Sequence, residues 1–229
     1  MKADFDDHAT SYADDVNGSV SFSGKDVDFF ARRKADHLLG IVRRQLGHPG
    51  EQRLLDVGCG VGVTDSHLVS SVGSLHGVDV AADAVAEAAT LNPTVTYGSY
   101  DGRRLPHPDH AFDVAFTVCV LHHVDPPDRA AFTAEMARVV RPGGLVAIFE
   151  HNPYNPLTRV AVSRCEFDEG VELLSSAEVA GLTTGAGLDL LERRYILFLP
   201  SDGALSDAVD STFRRLPLGA QHFVAARRR

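Results

Sequence analysis

The segment Leu54-Leu55-Asp56-Val57-Gly58-Cys59-Gly60-Val61-Gly62 constrains this chain more than any other. A short apolar run closed by spaced glycines reads as a buried strand that turns sharply into a helix. Glycine lets backbone approach a ligand closely, and the helix start that follows offers N–H groups to a negative group. A dinucleotide loop needs its third glycine at position 63, where this chain has Val63. Asp56 stands just ahead of the first glycine. An acid there repels a pyrophosphate and attracts an ammonium, such as the one at the zwitterionic end of a methionine group.

Strands and helices alternate downstream. Ser74–Asp79, Val95–Tyr97, Phe112–Val118 and Leu145–Phe149 read as strands, with helices over 64–72, 81–90, 129–139 and 176–183. Arg141-Pro142-Gly143-Gly144 reads as a helix stop and turn. Tyr195–Leu199 and His222–Ala226 are late strands, expected to form an antiparallel edge hairpin joined near Pro217-Leu218-Gly219. This pattern predicts an α/β, Rossmann-like, doubly wound and mostly parallel seven-stranded sheet. Residues 1–50 read as an N-terminal helical lid or substrate segment, with a loose helical period over 26–45. Residues 51–229 form the expected ligand-binding domain.

Composition narrows the function. The chain has 229 residues, 44% of them hydrophobic, and a net charge of −9, which disfavours a nucleic-acid substrate. No apolar run is long enough to span a membrane, and the acidic start carries no leader pattern, so a cytoplasmic location is expected. Cys59, Cys119 and Cys165 make an odd, scattered set, which argues against a disulfide framework or a zinc ribbon. The only lysines, Lys2, Lys25 and Lys34, precede the glycine segment. The expected core therefore holds none, which excludes Schiff-base chemistry there. Arg227-Arg228-Arg229 reads as a solvated tail, and Asn152-Pro153-Tyr154 as a loop former.

Asp79 closes the second strand and Asp101 follows the third, so three acids converge on one crevice. An acid in the place of Asp79 can hydrogen-bond both ribose hydroxyls. With Gly77-Val78-Asp79-Val80, Asp101-Gly102-Arg103-Arg104-Leu105-Pro106, Phe112-Asp113-Val114, Leu121-His122-His123-Val124 and Arg141-Pro142-Gly143-Gly144, the glycine segment resembles the class I S-adenosylmethionine-dependent methyltransferases over residues 50–150. The likeness is strongest to the small-molecule branch that includes ubiquinone and menaquinone methyltransferases. It implies S-adenosyl-L-methionine as cofactor and S-adenosyl-L-homocysteine as product. It implies that Asp79 with Val80 holds the ribose, and that Asp101 and the Gly102 backbone read adenine. Gly58, Cys59 and Gly60, beside Asp56, then line the methionine end. Thr117 and Val118 flank the sulfonium, and Phe5 and Tyr12 sit in the lid, with Tyr12 binding the cofactor.

Methyl transfer from a sulfonium is an in-line displacement in which positioning supplies much of the rate. Acceptors that carry a proton need a base as well. His122 is the first candidate, followed by His151 in Glu150-His151-Asn152 and by His123. No motif with metal-ligand spacing is present, so no metal is expected. The leading expectation is methylation of a small molecule: a secondary metabolite, a quinone-type ring or a sugar. A tRNA or protein methyltransferase, a nicotinamide oxidoreductase and a non-catalytic cofactor-binding protein are the alternatives. As to assembly, a monomer and a homodimer are equally compatible with the sequence.

Overall fold

A computed structural model describes residues 18–19, 24–165 and 168–229. Phe5 and Tyr12 lie outside the described residues. Helix α1 (Val27–Leu46) starts where the Asp26 carboxylate accepts from the Phe29 N–H at 2.9 Å. Next come β1 (Arg53–Val57), α2 (Val63–Leu68), β2 (Ser74–Asp79), α3 (Ala82–Leu91), β3 (Thr96–Ser99) and β4 (Phe112–Val118). The chain continues through α4 (Arg129–Val139), β5 (Val140–His151), α5 (Pro156–Val162), α6 (Ser176–Gly185), β6 (Leu188–Ile196), α7 (Ala204–Phe213) and β7 (Gln221–Arg228).

The strands form one seven-stranded sheet in the order β3-β2-β1-β4-β5-β7-β6. The first five strands are parallel, and β7 runs antiparallel to both β5 and β6. Strand order reverses between β1 and β4. Such a switch point opens a crevice beyond the carboxyl ends of the strands, because the flanking connections leave on opposite faces. Alternate strand residues fill two cores. Leu54, Phe116 and Phe149 pack on one face, with Leu38, Ile41 and Val42 of α1 and Leu68 of α2. Leu55, Ala115 and Ile148 pack on the other, with Met136 of α4 and Val179 of α6.

Helix α1 is therefore a layer of the sheet domain, and the expected boundary at residue 50 runs through its core. The helix still reaches the crevice at its N-terminal half. Leu38→Ala is expected to cost about 2–5 kcal/mol, the usual range for a fully buried leucine. Denaturant unfolding tests this, and a loss well under 1 kcal/mol would place α1 outside the cooperative unit.

Four local expectations change. The Arg141-Pro142-Gly143-Gly144 turn is absorbed as an irregularity inside β5, which pairs at Phe112↔Val140 and again at Val114↔Leu145. Gly144 is required there, since a Cβ would stand 2.6 Å from the Asp113 carbonyl oxygen. The first late strand is Leu188–Ile196 rather than Tyr195–Leu199, and Leu197 ends it with a left-handed φ of 60°. β6 and β7 do pair antiparallel at the edge as expected, but helix α7 lies in the connection ahead of the loop near Pro217-Leu218-Gly219. The final arginines are not a free tail. Arg227 donates to the Gln45 side chain at 2.8 Å, and Arg228 donates to the Ala137, Arg138 and Val140 carbonyls, capping the end of α4. Asn152 does form its loop, donating to the Gly219 carbonyl at 2.7 Å and accepting from the Tyr154 N–H at 3.1 Å. Among the described residues, no helix is long and apolar enough to cross a membrane.

Candidate active site

The crevice at the carboxyl ends of β1, β2, β4 and β5 is a cavity of about 740 Å³. The glycine turn forms one wall. Gly62 has φ 76°, and a Cβ there would lie 2.7 Å from the Tyr97 hydroxyl and 2.8 Å from the Asn92 amide nitrogen. A Cβ on Gly60 would meet no atom within 4 Å, so bare backbone faces the open space. The loop folds back on β2 and uses its own donors. The Gly58 and Cys59 N–H groups donate to the Val78 carbonyl, Gly62 to the Cys59 carbonyl, and Gly60 to the Asp79 carboxylate at 2.8 Å. The amides at those four positions are thus engaged within the protein.

All three acids border the cavity. Asp56 is buried, and its Oδ1 has no hydrogen-bond partner among the described residues. Burial, and then the charge of neighbouring Asp65, push its carboxyl well above the usual range. Asp65 is itself buried and accepts from the Tyr97 hydroxyl at 2.7 Å. Asp79 accepts from Gly60 and, at 3.0 Å, from the Ala81 N–H. Asp101 is exposed and accepts from the Arg103 and Arg104 N–H groups, which hold its carboxyl below the ordinary value. Cys59, Val80, Gly102 and Val118 also line the wall, whereas Thr117 does not. Thr117 is fully buried within β4.

Lys34 corrects the expectation that lysine is absent from the core. It is 8% exposed, lines the cavity, and places its ammonium 3.9 Å from the Cys119 sulfur. Its sequence signal is position: Ala31, Lys34, Ala35 and Leu38 fall on the one buried stripe of α1.

The histidines gather at the opposite wall. Cys119, with φ 57°, turns the chain out of β4. The buried Glu150, at the end of neighbouring β5, accepts from the Leu121 N–H at 2.7 Å and from His122 Nδ1 at 2.6 Å. His122 Nε2 stands 3.4 Å from Asp168 Oδ1, and His123 Nε2 stands 3.2 Å from the same oxygen. The His151 ring centroid is 5.3 Å from that of His122. Burial opposes a charge on His122. The Glu150 charge and the hydrogen bonds to Asp168 and Glu150 outweigh it and push the ring's pKa up to about 10. Burial would raise Glu150, but His122 holds it down at about 2. His151 is lowered to about 4, first by burial and then by the His122 charge, and His123 is lowered by burial. Both His122 nitrogens thus face carboxylates, and the ring offers no free lone pair to the proton of an acceptor. His151 therefore stands ahead of His122, the first candidate base expected from the sequence. Asp168 had no sequence signal, lying 46 residues beyond His122 in no motif.

A switch point at β1 and β4, a glycine turn on β1 and acids closing β1 and β2 define a Rossmann-like nucleotide-binding class. Residues 55–148 match a family model described as a methyltransferase domain. The chain is 34% identical over 108 residues to 2-methyl-6-phytyl-1,4-hydroquinone methyltransferase of Synechocystis, covering 45% of this chain and 33% of that protein. It is 35% identical over 155 residues to methyltransferase GfsG of Streptomyces halstedii, covering 61% of this chain and 54% of that one. These matches span only about a third to a half of the relatives' lengths. A Thermotoga maritima structure described as an S-adenosylmethionine-dependent methyltransferase, possible histamine N-methyltransferase, shares the fold. Its TM-score is 0.68 at 20% identity, with 98% of each chain covered. In sequence over residues 55–148, and in fold, the chain is thus similar to the class I S-adenosylmethionine-dependent methyltransferases.

Proposed function

We propose that this protein transfers the methyl group of S-adenosylmethionine to a small-molecule acceptor and releases S-adenosylhomocysteine. The observation that carries this reading is one cavity wall that gathers Asp56, Asp79, Asp101 and the bare backbone of Gly60 at the switch point. An ammonium group beside Asp56 favours its ionised form, which burial and Asp65 oppose in its absence. The bound cofactor supplies an activated methyl on a sulfonium.

Asp79 accepts from the ribose hydroxyls while it stays tied to the glycine turn. Asp101 and the Gly102 backbone face adenine. Lys34 pairs with the methionine carboxylate, a role the loop amides at Gly58, Cys59, Gly60 and Gly62 leave open because they donate within the protein. Val118 borders the sulfonium. The half-buried His151, neutral at pH 7, takes the acceptor proton, with His123 as the neighbouring neutral ring. Phe30, Leu157 and Phe198 line the same cavity and suit an acceptor with an apolar body, in keeping with the hydroquinone acted on by one relative.

Thermal shift with S-adenosylmethionine, S-adenosylhomocysteine and NAD tests the class. The first two are expected to stabilise the protein, by about 2.7 kcal/mol at a hundredfold excess over Kd. Stabilisation by NAD alone would overturn the reading. Lys34→Met is expected to weaken S-adenosylhomocysteine binding by roughly 10-fold or more, the weight of one charged hydrogen bond, and to leave adenosine binding unchanged. Calorimetry that finds equal loss for both ligands would remove Lys34 from the carboxylate.

A further inference from the structure

We propose that His122 Nε2, His123 Nε2 and Asp168 Oδ1 form a site for one divalent first-row transition ion of the zinc type, open towards the cavity on its remaining side. The candidate ligand atoms of these three residues lie within 4.8 Å of one another. Both ring nitrogens approach the same carboxylate oxygen, at 3.4 and 3.2 Å. Two donors held about 2.0–2.1 Å from one tetrahedral ion stand roughly 3.4 Å apart, so the spacing already suits a shared ion.

The surroundings match as well. His122 Nδ1 is committed to Glu150 at 2.6 Å, which orients the ring and directs Nε2 towards Asp168. A carboxylate behind a ligating histidine is the usual device for fixing its tautomer and raising its basicity. Glu150 is in turn fixed by the Leu121 N–H, so the support is rigid. Two imidazoles and one carboxylate suit zinc, iron(II) or cobalt(II) rather than magnesium or calcium. Three protein ligands leave at least one position free, as in catalytic rather than structural zinc sites. All three residues line the cavity, so that free position faces its interior. An oxygen or nitrogen of the acceptor would fill it and be held in place; this role rests on the proposed methyltransferase reading, whereas the site itself does not. The sequence hides the site because its carboxylate comes from a distant loop.

The test uses the full chain, stripped with EDTA and titrated with cobalt(II). The expected result is one equivalent bound, with visible ligand-field absorption that zinc(II) abolishes. His123→Ala and Asp168→Asn are expected to weaken cobalt binding by more than 100-fold, and Glu150→Gln, which touches only the supporting carboxylate, by about 10–100-fold. Circular dichroism and S-adenosylhomocysteine binding report on folding of each variant. Folded wild type that binds S-adenosylhomocysteine but no stoichiometric cobalt overturns the metal site and spares the methyltransferase reading. Cobalt binding without S-adenosylhomocysteine binding does the reverse. Folded His123→Ala and Asp168→Asn proteins that bind cobalt as the wild type does would also overturn the site.

Discussion

Asp79→Ala is expected to weaken S-adenosylmethionine binding by about 100-fold or more while the protein stays folded. Asp79 acts twice. It ties down the glycine turn through Gly60 at 2.8 Å and the start of α3 through Ala81 at 3.0 Å. Its carboxylate is also the proposed acceptor for the ribose hydroxyls. Hydrogen bonds to a charged group contribute about 1.5–3 kcal/mol each, and the loss of two corresponds to at least two orders of magnitude in affinity. The alanine variant loses both the ligand contacts and the preorganisation of the loop, whereas Asp79→Asn keeps one accepting oxygen and should fall between. Isothermal titration of the three proteins measures this. A Kd for Asp79→Ala within threefold of wild type would mean that the cofactor does not touch this residue.

Glu150→Gln is expected to destabilise the metal-free protein by about 3–5 kcal/mol, because breaking one side of a buried ion pair strands its partner. The glutamine carbonyl can still accept from Leu121, but its amide then faces His122 Nδ1–H, donor against donor. The pH dependence identifies the cause. His122 is raised from 6.5 to about 10, so its contribution is full below 6.5 and fades as pH climbs through 10. Glu150 is lowered from 4.5 to about 2, so its contribution is full above 4.5 and fades as pH falls through 2. The gap between wild type and variant should therefore be widest between pH 4.5 and 6.5 and narrow towards either extreme. Denaturant unfolding across pH 4 to 10 checks it. A gap independent of pH would show that His122 carries no charge.

What could be read along the chain was local. Ser74–Asp79, Phe112–Val118 and Arg129–Val139 form with the expected bounds, since each is set by its own apolar pattern and its own breakers. Strand β6 was misplaced because it lies at the sheet edge, where Asp189 and Glu192 are tolerated and apolar content is a poor guide. Arg228 looked like a tail because arginine in isolation is solvated; here it finds the open carbonyls at the end of α4.

The linear sequence was enough to determine a parallel sheet, a cofactor crevice and the acids that border it. Each of these follows from residues at the ends of strands, and a strand's end is encoded beside it. The surroundings of the histidines were decided only in three dimensions. Lys34 enters from a helix ahead of the motif, and Asp168 from a loop behind it. The protonation of His122 depends on two buried carboxylates, Glu150 and Asp168, 28 and 46 positions away along the chain. Charge and coordination depend on distance and burial, and neither is a property of a residue's neighbours in sequence.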